Sequence, residues 1–292
     1  MLTEKTVIAL CGPTAAGKTD LAIKLALQYH TQIISADSRQ CFREINIGVA
    51  KPTDLQLQVV THYFVNSHSI FDNVNVGTFE KYALDASKKI FAENDSLILA
   101  GGTGLYVKGF LEGLDAIPEV DELTESNIRK QYSSDGFHWL ESEIKKKDPL
   151  FASKGEMQNP QRMMRALGVM MTTGKSILEF HSSSKDKRDF KVEKIFLNIP
   201  RQILYERINK RVDRMMEEGL LDEVMKLIPY KNLNALQTVG YRELFDYFEK
   251  KTKLSEAVEL IKRNTRHYAK RQLTWFKKYF IDAETKILNN VD

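Results

Sequence analysis

The run GPTAAGKT, Gly12 to Thr19, follows an apolar strand-length segment, TVIALC (Thr6 to Cys11), and opens a segment, KTDLAIKLALQY, whose apolar residues recur at helical spacing. A Gly-x4-Gly-Lys-Thr run between strand and helix predicts a loop whose backbone amides cradle a phosphate. Here the cradle is Gly12, Pro13, Thr14, Ala15, Ala16, Gly17, Lys18 and Thr19, with Lys18 adding charge and Thr19 a hydroxyl able to ligate magnesium. The same run limits the fold. A second strand-like segment, QIISADS, ends in Asp37, and a third, SLILAGGTG, runs into glycines. Strands alternating with helices predict an α/β protein, a P-loop NTPase-like parallel sheet wound by helices, with ligands beyond the carboxyl ends of the strands. Asp37 and Thr103 then face the cradle.

From about Pro118 to Asp189 the strand signal fades and charged helical patterns take over, which predicts a helical insertion. The expected division is 1–117 with 191–292 as the catalytic core and 118–190 as the insertion, with the polar stretch around Lys185 as a mobile linker. A chain of 292 residues with 42% hydrophobic content is long enough for that arrangement. Its longest apolar runs are strand-length, and the N-terminus has no apolar region of signal-peptide type, so no membrane partner and a cytoplasmic location are expected. Cys11 and Cys41 make neither a disulfide framework nor a zinc pair, and His62, His68, His138 and His267 fall in no metal-like spacing.

An NTP hydrolase usually places a metal-holding aspartate at the end of another strand, but SLILAGG ends in Ala100 and two glycines. The strand-end carboxylate near the cradle is Asp37. A base, a helix N-cap and a magnesium ligand all fit it. Arg207, Arg211 and Arg214 share a helical face that suits either closure over phosphate or a solvated surface balanced by nearby glutamates. Between Lys262 and Lys278 stand seven Lys and Arg and no Asp or Glu, interleaved with Tyr268, Trp275 and Phe276. That pattern fits RNA contact, or a basic helix packing its aromatics into the core. NPQRMMRAL predicts a helix capped by Asn159 with Pro160 in its first turn, Arg162 and Arg165 on one face and the methionines in the core.

Taken in order, GPTAAGKT, ISADSRQCFREINIGVAKP, LAGGTGLYVKG, NPQRMMRAL, ERINKRVDRMMEEGL, TVGYRE and AKRQLTWF closely resemble the bacterial tRNA dimethylallyltransferases, across nearly the whole chain. Cys41 and Val49 depart from the usual family pattern, and the cysteine and histidine content leaves no room for the C-terminal zinc finger of eukaryotic relatives. The resemblance implies transfer of a dimethylallyl group from dimethylallyl diphosphate to the exocyclic N6 amine of the adenosine 3′-adjacent to the anticodon, with release of diphosphate. It implies Asp37 as general base, Thr103 near the leaving diphosphate, and Arg211 with Lys18 as its clamp. Magnesium would be bound through Thr19. Contact with the tRNA anticodon stem-loop is implied for Asp37, Ser38, Arg39 and Gln40, for Gln161, Arg162, Met163, Met164 and Arg165, and for Arg242, Lys270, Arg271, Gln272 and Trp275. A monomer is expected. Weak ATP binding would not contradict this, since the loop recognises phosphate groups and not the base attached to them.

The chemistry fits these residue types. An adenine amine is a poor nucleophile, so it needs a carboxylate for its proton and a stabilised leaving group on the opposite side. Two other classes remain. A P-loop small-molecule kinase shares the cradle but has no need of the basic aromatic helix, and a non-catalytic RNA-binding module leaves the phosphate loop without purpose.

Overall fold

A computed structural model describes residues 4–181, 186–281 and 284–287. The polar stretch around Lys185, expected to be a linker, lies outside the described residues. The chain divides into two compact units, Met1–Glu112 with Lys187–Asp292, and Gly113–Asp186.

In the larger unit the first half of the chain runs β1 (Thr6–Cys11), α1 (Lys18–Gln28), β2 (Ile33–Ala36), α2 (Asp54–Val59), β3 (His62–Tyr63), α3 (Val76–Glu93), β4 (Ser96–Gly101) and α4 (Gly104–Glu112). The smaller unit holds α5 (Glu122–Lys147), α6 (Pro149–Lys154) and α7 (Pro160–Thr173). The larger unit resumes with β5 (Lys191–Asn198), α8 (Arg201–Glu217), α9 (Leu220–Lys226), α10 (Tyr241–Phe248), α11 (Leu254–Tyr279) and β6 (Glu284–Ile287).

The six strands form one parallel sheet in the order β3-β2-β4-β1-β5-β6. Parallel strands covered on both faces need apolar residues at every position rather than at alternate ones. TVIALC and SLILAG supply them. The side each residue faces follows the pleat: Val7, Ala9 and Cys11 pack with α3, α4, α10 and α11, whereas Ile8 and Leu10 pack with α1 and α8. Val7, Ala9, Leu10 and Cys11 are fully buried. The carboxyl ends of β1, β2 and β4 therefore lie side by side, and the loops that follow them carry Thr14, Asp37 and Thr103.

The smaller unit has its own apolar core, built around Ile128, Leu140, Ile144, Met163, Leu167 and Val169. Its helix α7 starts where the sequence predicts: the Asn159 side chain accepts from the Arg162 amide, and Pro160 takes the first turn, where its missing N–H costs nothing. Gly174 ends the helix in the left-handed region at φ 70.

Candidate active site

Helix α1 begins at Lys18, with Gly17 at φ 82 in the N-cap position and no side chain capping the helix. Its first-turn amides are therefore available to an anion, and the helix dipole favours one there. Ala15 holds φ 63, a left-handed conformation that costs an L-residue roughly 1–2 kcal/mol. Anchors on three sides maintain this shape. Lys18 Nζ donates to the Pro13 carbonyl at 2.7 Å, the Thr14 amide donates to Gln272 Oε1 at 2.8 Å, and the Arg211 guanidinium donates to Thr14 Oγ1 at 3.3 Å. The loop encloses a cavity of about 130 Å³ walled by Thr14 through Asp20, with Asp37, Gln40, Arg211, Tyr268 and Gln272 around it. Gly12 and Pro13, expected in the cradle, are buried behind the wall and do not line it. Burial pulls the Lys18 ammonium down to about 8, with Asp37 opposing the shift. Burial likewise lowers Arg211 from its ordinary value.

Asp37 is the first residue past β2. Its Oδ1 accepts from the Arg39 amide at 2.9 Å and the Gln40 amide at 3.3 Å, a side-chain-capped turn, while Oδ2 has no hydrogen-bond partner among the described residues. The turn thus takes one oxygen of the carboxylate and leaves the other. Gln40 is held at both ends of its amide: Ser35 Oγ donates to its Oε1 at 3.1 Å, and its Nε2 donates to the carbonyls of Val49 at 3.4 Å and Ala50 at 3.0 Å. Thr103 lies just outside the wall of the cavity. Its Oγ1 accepts from the Ser38 amide at 3.1 Å and donates to Ser38 Oγ at 3.4 Å, so it orients the turn that faces the site. Burial and the nearby Asp37 charge push the Tyr268 phenol up to about 12, so Tyr268 is neutral at physiological pH.

A second cavity, of about 290 Å³, adjoins the first. Thr14, Asp37, Val49, Ala50, Arg211 and Tyr268 line both. Ser38, Arg39, Arg242, Thr265, Arg271 and the turn Gln237–Gly240 belong to the second alone. The phosphate cradle thus opens, beside Asp37 and Arg211, into a wider space with arginines at its margin. Arg39 is fixed there by donating to the carbonyls of Asn234 at 3.0 Å and Ala235 at 3.3 Å.

Helix α11 roofs both spaces with a stripe that advances by three to four residues: Ile261, Thr265 and Tyr268 along the wider cavity, and Gln272 at the loop. The sequence pattern singled out this helix for its cations and aromatics, Tyr268 among them, but not for the place of Tyr268 beside the cradle. Two residues of this helix that the resemblance places against RNA are engaged with the protein itself. Gln272 is 6% exposed, and its amide is spent inside the protein, accepting from Thr14 and donating to the Gly102 carbonyl at 2.9 Å. Trp275 packs on Gly104, where a Cβ would come within 2.4 Å of the indole. It also touches the Phe276 and Tyr279 rings. Lys270, Arg271, Lys277 and Lys278 remain on the exposed side.

Within the smaller unit, Gln161 and Arg162 are exposed on α7, and Arg162 pairs with Glu156. Arg165 donates to the Pro118 carbonyl at 3.0 Å. Met163, expected to touch RNA, is fully buried, and Met164 packs against the same core, because both fall on the apolar stripe that builds the unit. Among the described residues no group of three or more His, Cys, Asp or Glu is arranged to hold a metal, and no helix is long and apolar enough to cross a membrane.

A family model described as IPP transferase matches residues 40–279. The tRNA dimethylallyltransferase of Cytophaga hutchinsonii is 46% identical over 283 residues, covering 97% of this chain and 92% of the relative. A solved structure of the tRNA isopentenylpyrophosphate transferase of Bacillus halodurans superposes with a TM-score of 0.72 at 33% identity, covering 99% of this chain and 92% of that one. A eukaryotic dimethylallyltransferase, solved acting on tRNA, superposes with a TM-score of 0.80 at 26% identity, covering 98% of this chain and 74% of that one.

Proposed function

The chain belongs to the IPP transferase family, and from that premise we propose that it transfers a dimethylallyl group from dimethylallyl diphosphate to N6 of the adenosine 3′-adjacent to the anticodon of tRNA. The observation that carries the reading is the junction of a phosphate cradle with a second, wider cavity at a single carboxylate, Asp37. A phosphoryl transferase needs its acceptor beyond the terminal phosphate. An allylic transferase instead needs diphosphate on one side, an amine on the other and a base between them.

In this reading the adenosine leaves its stack and enters the wider cavity, at a cost of a few kcal/mol that is lowest in a single-stranded loop. N6 approaches Asp37, whose Oδ2 accepts the amine proton while Oδ1 stays bonded to the Arg39 and Gln40 amides. The N6–C1 bond forms as the C1–O bond breaks, and the electron pair leaves with the diphosphate. The α1 amides, Lys18 and Arg211 stabilise that departing charge, and their partial burial strengthens each contact. Thr103 keeps Ser38 in place.

The cradle suits a magnesium ion brought in on the diphosphate. Thr19 is in its wall, and a hard cation of this kind keeps most of its ligands from phosphate oxygens and water rather than from a cage of carboxylates. When bound there, the ion would neutralise charge on the leaving group. RNA contact is proposed for Ser38, Arg39, Arg242, Lys270 and Arg271 in the larger unit and for Gln161, Arg162 and Arg165 in the smaller. With this reading we also propose a monomeric, cytoplasmic enzyme.

Asp37→Asn tests the assignment, because it keeps the turn-capping oxygen and removes the base. Single-turnover transfer of label from dimethylallyl diphosphate to unmodified tRNA is expected to fall by about 10²–10⁴. Retention of labelled tRNA on a filter should stay within about tenfold, since a neutral carboxamide replaces one charge at a margin of several contacts. A near-normal transfer rate in this variant removes Asp37 from the chemistry.

A further inference from the structure

Six residues line both cavities: Thr14, Asp37, Val49, Ala50, Arg211 and Tyr268. Building on the transfer reading above, this shared wall is where the reacting allylic carbon must sit, with the diphosphate behind it in the cradle and the amine ahead of it. As the C1–O bond stretches, positive charge develops on the allyl group. Asp37 is engaged with the amine proton. Arg211 is a cation and serves the diphosphate. Thr14 is bonded to Arg211 through its hydroxyl and to Gln272 through its amide. Val49 and Ala50 exclude water but offer no charge. That leaves one aromatic ring, Tyr268, which already takes the Arg271 guanidinium at 5.8 Å and so offers a π system to cations at this wall.

We propose that Tyr268 is a further catalytic residue, whose ring stabilises the allylic cation by a cation–π contact as the dimethylallyl group passes from diphosphate to amine. Two features prepare the ring for this. It stands on the inward stripe of the long helix α11, between Thr265 and the Gln272 brace and beside the fully buried Ala269. The neutral phenol keeps the quadrupole of an aromatic ring, and the partly desolvated setting is where such contacts are strongest. The step itself is balanced without another reactant: N6–C1 forms, C1–O breaks with its electrons on diphosphate, and the proton goes to Asp37.

The test is single-turnover transfer by the full-length protein, from labelled dimethylallyl diphosphate to unmodified tRNA, with substitutions at this position. Tyr268→Phe retains the ring and is expected to stay within a few-fold of wild type. Tyr268→Leu keeps bulk and hydrophobicity but no π face, and should slow transfer by about thirtyfold with tRNA and inorganic diphosphate affinities held. Replacing Tyr268 by mono-, di- and trifluorophenylalanine drains the π face in steps at nearly constant shape. The rate should fall in the same order, a response that a merely packing residue would not give. A flat fluorine series, or leucine as fast as phenylalanine, overturns the inference. Equal losses in Tyr268→Phe and Tyr268→Leu also overturn it, in favour of the hydroxyl. Failure of the wild-type protein to transfer label at all overturns the functional reading beneath it, an outcome distinct from any of these.

Discussion

Asp37 shows that a capping reading and a chemical one need not compete. No helix follows it directly, but its Oδ1 caps the turn after β2 and its Oδ2 is left for the base role proposed above. Lys18 is similar. Its place in the motif announces a phosphate contact, but not that burial lowers its ammonium to about 8. This depression has a sign that can be measured. The ammonium is charged below that value and neutral above it, and an anionic donor prefers the charged form. The kcat/KM for dimethylallyl diphosphate should therefore decline as pH rises through about 8 in the free enzyme. Lys18→Arg, charged at all accessible pH, should flatten this limb whatever its absolute rate. A wild-type profile that stays level well past the Lys18 value would mean that Lys18 is not the group that meets the donor. Gln272 and Met163 mark the opposite case. Both sit in stretches that resemble RNA-contacting motifs, yet the side chain of each is buried. Motif membership does not say which face of a helix a residue occupies, and only packing decides that.

At the level of elements, α11 was legible as a basic helix with aromatics but not as the roof of the site. Its cations and its apolar residues share one sequence run, and the helical repeat sorts them afterwards: Ala257, Ile261, Ala269, Gln272 and Phe276 turn inward, while Lys270, Arg271, Lys277 and Lys278 stay exposed. Not every cation is free for RNA, since Lys262 bridges to Asp213 at 2.8 Å and Arg266 donates to Asn209 at 2.7 Å. The exposed pair Lys270 and Arg271 is the part to test. Each phosphate contact releases counterions, so replacing both by alanine should reduce the log–log salt slope of tRNA affinity by roughly one to two. An unchanged slope would place the RNA backbone elsewhere. Helix α9 was not legible at all. Glu223 looks like one acidic residue among others on a solvated helix. Its carboxylate in fact accepts from the amides of Asn46 and Ile47 at 2.9 Å, from Gly48 at 3.1 Å and from the Tyr241 hydroxyl at 2.5 Å. It thereby fixes the loop whose Val49 and Ala50 wall both cavities. Such a clamp joins residues more than 170 apart in sequence, and local pattern cannot reveal it.

At the scale of the whole molecule, the parallel sheet follows from strong local signals: apolar strands, a glycine loop and an amphipathic helix in series. The weak members of the sheet escaped notice because β3 spans two residues, too short to show a period, and two of the four residues of β6 are charged. The sheet order puts β4 between β1 and β2, which brings the end of SLILAGG against the cradle with no carboxylate to offer. That arrangement separates this chain from an NTP hydrolase more firmly than the loop itself does, because hydrolysis needs a group that orients water at the terminal phosphate. The cavity beyond the cradle instead opens toward an arginine-rimmed space suited to a nucleobase. Transfer should therefore proceed with no ATP turnover. Purified protein, magnesium, unmodified tRNA and labelled dimethylallyl diphosphate should give labelled RNA and free diphosphate at the same rate with and without ATP, apart from competition if ATP occupies the loop. Competition is permitted, because the amides and Lys18 recognise phosphate groups and not the base attached to them. It should raise the apparent KM for the donor and leave the rate at saturating donor unchanged. Label transfer that strictly requires ATP hydrolysis would contradict the geometry, since the cradle cannot hold a nucleotide triphosphate and the prenyl diphosphate together, and it would restore a kinase-like reading of the loop.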